Sequence, residues 1–234
     1  MPGCDNPYLE YHHFDPPWST EQHHDPERML ALCATHHAKA DALTVEQCRE
    51  LKALAPERAP HISGRFDWLR RQIVAIVGGN YYYETPNIVV LGARPVIWFN
   101  RDERNHMLLN IEMPSRTRGT RRLLSDNDWL LEGQPSDVIS PPNGSELRVE
   151  YPNGDQVYVK FRSWGSAAEL AGTHPAAARS LSSAQFPLLS VEVNLSLTDF
   201  GVELKPRETV LGGLGGITIK DCFMSNCGAG VVLN

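Results

Sequence analysis

Six of the chain's nine histidines fall within its first 37 residues, in three adjacent pairs: His12-His13, His23-His24 and His36-His37. Cys4 and Cys33 bracket the same stretch. Imidazole and thiolate bind transition metals, and imidazole moves protons near neutral pH. Successive side chains on a strand take opposite faces, so one histidine of the first pair can hold a metal while the other faces a reacting group. If CATHHAKAD (33–41) opens a helix, His37 and Asp41 stand at i and i+4 on one face. Together with His12 they could hold one divalent ion and leave positions open for substrate. Cys33 and His36 have the spacing of a zinc knuckle, which Cys4 could join.

The elements that must position these side chains are short. A strand ending at His13 and a helix beginning near Cys33 are expected, with the polar run STEQHHDP placing His23 and His24 in a loop. TVEQCRELKALA (44–55) reads as a helix. Thr44 and Gln47 form a capping box, and Val45, Cys48, Leu51 and Ala55 make one apolar stripe that buries Cys48. APERAPHISG (55–64) is linker-like, with two prolines and a glycine, and sets the expected domain boundary.

At EYHHFDPPW (10–18) and DPERMLALCATHHAKAD (25–41) the sequence resembles the HNH, or ββα-metal (His-Me finger), nuclease family. The resemblance implies a small treble-clef-like domain over residues 1–57 and a hydrolase acting on phosphodiester bonds in DNA. It gives His12 and His37 the role of metal ligands, with Asp41 as a further ligand, and makes His13 the general base that activates water. It implies one divalent ion, Mg, Mn, Ni or Zn, and a structural zinc held by Cys4, Cys33 and His36. Lys39 and Arg28 are candidate phosphate contacts. The chain departs from the pattern in two places. Arg28 stands where the family's middle asparagine braces the hairpin, with His23 or His24 as substitutes. Cys4 lacks the cysteine three residues on, where Pro7 sits.

From Arg65 onward the pattern changes to strands, and residues 65–234 are expected to form a larger, mostly antiparallel, sandwich-like β domain, with a β-helix as the alternative. The whole is then an α+β chain. SELRVEYPNGDQVYVKF alternates apolar and polar residues on both sides of Asn153-Gly154, a hairpin signal that buries Leu147, Val149, Val157, Val159 and Phe161. LSVEVNLSL puts Val191, Val193 and Leu195 on one face. Residues 165–185 are Ala/Ser-rich, a short helix or a loop, and Cys222 and Cys227 read as small buried hydrophobes.

The net charge of −6 excludes a protein that grips nucleic acid by bulk charge. A local basic surface could come from Arg116, Arg118, Arg121 and Arg122, or from Arg65, Arg70 and Arg71. No membrane span or secretory leader is read in the sequence, and five irregularly spaced cysteines point to a reducing, cytoplasmic compartment. DNA is the expected partner. A homo-oligomer, and an unidentified ligand or protein partner of the β-rich domain, stay open. A second reading is a non-catalytic, HNH-derived zinc module fused to a β-rich interaction or sensing domain. A third makes the β-rich part a small-molecule sensor that controls the nuclease.

Overall fold

The computed structural model describes residues 4, 6, 8–54, 63–116, 119–141, 143–212 and 216–233. The expected boundary at 55–64 lies almost wholly outside them. The chain is mostly β, with open, largely antiparallel sheets and few helices. Among the described residues no helix is long and apolar enough to cross a membrane.

The first sheet has two strands, β1 (Leu9–His13) and β2 (Met29–Cys33), paired antiparallel with His12 opposite Leu30 and His13 opposite Met29. Helix α1 (Ala34–His37) starts directly from β2, and α2 (Val45–Leu54) follows. The capping box forms: the Thr44 amide donates to Gln47 Oε1 at 2.9 Å and the Gln47 amide to Thr44 Oγ1 at 3.2 Å. Cys48 is fully buried and Leu51 packs beside it, in a cluster with Phe14, Leu30, Leu32 and Ala40. Val45 instead lies exposed at the helix start.

Two larger sheets of seven and ten strands share the main core. Leu109 and Ile111 of the first meet Val149, Val159 and Val191 of the second in one cluster. The expected inner face is buried throughout: Leu147, Val149, Val157, Val159, Phe161, Val191, Val193 and Leu195. Neighbouring strands are mainly antiparallel, so the β-helix alternative is set aside. Three pairings are nevertheless parallel, including Ile73–Val77 against Leu188–Leu197. Ile73–Val77 is buried on both faces. Ile73, Ala75 and Val77 enter the main core, while Val74 and Ile76 meet Leu170 and Ala177 from the two short helices Ala167–Ala171 and Pro175–Ser180. A strand covered twice must be apolar at every position, which is why IVAIV shows no alternation.

The Asn153-Gly154 hairpin forms as expected, with a loop longer than a two-residue turn in which only Gly154 takes positive φ, +84°. The strands end at Glu150 and Gln156, and the Tyr151 amide closes the loop on the Asp155 carbonyl at 2.9 Å. Other expectations need correction. Cys222 and Cys227 are half-buried rather than buried. Arg121 is buried against Asp155 and its guanidinium lies 4.0 Å over the Tyr151 ring, while Arg122 pairs with Glu112 and Arg65 with Asp67 and Asp128. Arg116 stacks on Phe200, and Arg118 lies outside the described residues. Among the described residues, neither arginine run therefore forms a continuous free basic surface, although Arg70 and Arg71 keep no carboxylate partner there.

Candidate metal centre

Strand alternation sorts β1 into two faces. Glu10 and His12 share one, Tyr11 and His13 the other. Because α1 leaves β2 at Cys33, its last residue returns across the first face. The His37 Nδ1 stands 2.9 Å from Glu10 Oε2, and the His12 and His37 rings are 5.7 Å apart between centroids. Burial pushes the His12 imidazole below its ordinary value and nearby His37 pushes it further, with Asp41 opposing and His13 adding to the fall. His12 thus stays in the neutral form that binds metals at pH 7.

Asp41 does not sit on the same helix as His37. Helix α1 ends at His37, and Asp41 belongs to a separate 3₁₀ turn (Ala40–Ala42) beyond Lys39. It nevertheless lines the same open cleft as His12, His13 and His37, a cavity of about 660 Å³. Lys39 is exposed and pairs with no carboxylate among the described residues.

On the second face His13 is ringed by aromatic groups. Its ring lies 4.6 Å from Trp18, 5.1 Å from His23 and 6.0 Å from His24. Its Nε2 is buried and has no hydrogen-bond partner. A buried nitrogen left unpaired costs free energy unless something else occupies it. His23, though in the loop, is buried. The Asp25 amide donates to its Nδ1 at 3.3 Å, so Nε2 carries the hydrogen and donates to the Pro16 carbonyl at 3.1 Å. His23 therefore braces the loop behind His13. Arg28 is committed to that loop's acids instead, to Asp25 at 3.0 Å and Glu21 at 3.4 Å, and so is not a free phosphate contact.

A second cluster lies at the start of α1. The Cys4 and Cys33 sulfurs are 3.6 Å apart, and Cys33 Sγ is 3.1 Å from His36 Nδ1. Among the described residues this is the one triad of metal-binding side chains whose donor atoms all lie within 4.8 Å of one another. Burial raises the Cys33 thiol, but hydrogen bonds from the His36 amide, Cys4 and the Thr35 amide outweigh it and hold the thiol below its usual range. Two soft sulfurs and an imidazole are a zinc-type donor set. The His12, His37 and Asp41 donors share a cleft but are not gathered that closely.

Glu10 and Trp18 were not among the residues picked out from sequence. Glu10 had a readable signal, since it lies two residues before His12 on a strand and so shares its face. Trp18 had none beyond its type, because its place over His13 depends on the turn after β1. No protein-family model matches the chain, and neither a curated protein nor a solved structure matches it.

Proposed function

We propose that the chain is a metal-dependent endonuclease of the HNH type that hydrolyses phosphodiester bonds in DNA. One observation carries the reading: a hairpin and a following helix set His12 beside His37 on one face, and His13, which lines the same cleft, keeps a buried Nε2 without a hydrogen-bond partner. The donor chemistry fits a divalent ion, with two imidazoles, the nearby Asp41 carboxylate and open space for substrate oxygens. Such an ion supplies charge neutralisation at the phosphate and at the departing oxygen. The protein's own part is acid–base and positional. His13 would accept a proton from the attacking water at Nε2, a buried nitrogen that no protein group occupies and that the loop carrying Trp18 and His24 must open to water. His23, fixed between Asp25 and Pro16, fills the space behind His13 and takes over the bracing role that Arg28 does not perform. Glu10 accepts the His37 Nδ1 proton, which turns Nε2 of His37 outward. Reduced thiols at Cys4 and Cys33 suit the cytoplasm, the compartment proposed for the chain.

The test is nicking of supercoiled DNA by the full-length chain with Mg²⁺, Mn²⁺, Ni²⁺ or Zn²⁺. Cleavage is expected to fall by about 10²–10⁴-fold in His13→Ala, the usual contribution of a general base, while metal binding persists. Equal cleavage by His13→Ala, or none by the native chain with any metal, ends the proposal.

The Arg28 departure, with that side chain committed to Asp25 and Glu21, favours a second reading, a non-catalytic zinc module built on the Cys4–Cys33–His36 triad and joined to the β-rich part. It expects tightly held zinc, its loss in Cys33→Ser, and no cleavage with any metal.

A further inference from the structure

Away from the histidines, a cleft of about 500 Å³ opens where both large sheets end, walled by Arg70, Arg71, Arg101, Glu84, Asn105 and Pro187 among others. Its parts come from four separate stretches of chain: the approach to Ile73–Val77, the end of Asn80–Tyr83, the turn after Arg94–Arg101, and the start of Leu188–Leu197.

Arg101 builds the wall. Its guanidinium pairs with Glu84 at 2.6 Å and donates to the carbonyls of Arg71 at 2.8 Å and Asn105 at 3.0 Å. Asn105 at φ +64° takes a turn conformation that asparagine tolerates, whereas Glu84 is itself held at φ +49°, backbone that a side chain normally avoids. Strain of this kind persists where surrounding contacts over-determine the conformation, and it gathers at binding sites. Arg70 is anchored too, its carbonyl taking the Met107 amide at 2.8 Å.

The backbones of Arg70 and Arg71 are thus fixed while their side-chain charges are uncommitted. Arg70 Nη1 reaches only its neighbour's carbonyl, Leu69 O, at 3.0 Å. No carboxylate among the described residues pairs with either guanidinium. Glu84 answers Arg101, so the cleft keeps two unanswered positive charges in a chain whose net charge is −6. Both arginines line the cleft, so a dianion seated there would answer both charges. Planar guanidinium forks match phosphate oxygens in pairs. The volume lies in the range of small-ligand sites, and the exposed ring of Pro187 offers an apolar wall.

We propose that this cleft binds a small phosphate-bearing ligand of nucleotide size. The inference is independent of the nuclease reading, because the cleft shares no residue with the histidine site. The shared chemistry is the phosphate group, and the experiment separates its sources. Pyrophosphate, AMP, ATP, succinate and a ten-nucleotide single strand are titrated calorimetrically into the full-length chain with EDTA present. ATP and pyrophosphate should bind, succinate should not, and Arg70→Ala/Arg71→Ala should weaken ATP by about 100-fold, the loss of two charge-assisted contacts. Both side chains are exposed, so thermal unfolding of the double variant should match the native chain and exclude a folding defect. Binding of the oligonucleotide through the same two arginines keeps the phosphate chemistry and assigns it to nucleic acid. Succinate binding as tight as pyrophosphate, ATP binding unchanged in the double variant, or no binding of any phosphate probe overturns the proposal.

Discussion

Removing the Glu10 carboxylate should weaken metal binding at the histidine site without touching a ligand. Glu10 Oε2 lies 2.9 Å from His37 Nδ1, so it fixes the ring's tautomer and orientation. Such outer partners are worth about 10- to 100-fold in metal affinity. Here the Glu10 and His37 side chains are 37% and 35% exposed, so water screens the pair and the lower end applies. Glu10→Ala should therefore lose about 10-fold, equivalent to ~1.4 kcal/mol. Glu10→Gln keeps an acceptor of the same shape but not its charge, and neutral bonds are about half as strong, so it should fall between. The assay is calorimetric titration with Mn²⁺, which prefers oxygen and nitrogen donors and so avoids the Cys4–Cys33–His36 cluster. His37→Ala, which deletes a proposed ligand, gives the lower reference. Glu10→Ala binding Mn²⁺ as tightly as the native chain would refute the positioning argument. A loss as large as that of His37→Ala would refute it too, by making Glu10 a ligand itself.

Two further outcomes follow from the β-rich part. Asp155→Ala strands the buried Arg121 guanidinium and should cost about 3–5 kcal/mol, read by urea unfolding, whereas Arg121→Met/Asp155→Leu should cost clearly less; a single-variant loss under about 1 kcal/mol would contradict the buried pair. Burial against Tyr81 and Trp164 holds the His174 imidazole below its ordinary 6.5, with Glu192 opposing and Arg162 adding to the fall. Below that pH the unfolded chain binds a proton the folded chain resists, so this contribution to stability is lost as pH falls through 6.5 towards the folded value. The drop in melting temperature between pH 7.5 and 5.5 should shrink in His174→Gln, and an unchanged drop would remove His174 from the account.

Local pattern was legible where one period decides the structure. Alternation through Leu147–Phe161 and Val191–Leu195 gave the buried face, and the Thr44/Gln47 pair gave the start of α2. Legibility failed where the outcome depends on distant partners. Arg121 reads as one more charge in SRTRGTRR, because its partner Asp155 lies 34 residues away. The i,i+4 placement of His37 and Asp41 assumed a longer helix than forms, since α1 is only four residues long. The histidine pairs were readable by type, and the strand period told their faces apart. The meeting of Cys4 with Cys33, 29 residues apart, followed from thiol chemistry and the hairpin between them. The cleft of Arg70, Arg71 and Arg101 has no local signature, because it is assembled from four stretches.

The doubly covered strand Ile73–Val77 also sets an order of events during synthesis. Among the described residues the cluster around Phe14, Leu30 and Cys48 draws on none beyond Leu51, so the histidine segment can collapse as soon as it leaves the ribosome. Ile73–Val77 must wait for Leu189–Val193, its parallel partner more than a hundred residues later. The strand Asn87–Leu91 waits longer still, for Ala229–Leu233. Non-local pairings of this kind close late and slowly. Until then IVAIV pairs only with its hairpin neighbour Asn80–Tyr83 and offers a bare apolar edge to other nascent chains. A transcript cut short before residue 188 would therefore yield a collapsed histidine segment tethered to an aggregating remainder, and the danger of a truncated product lies in its second half.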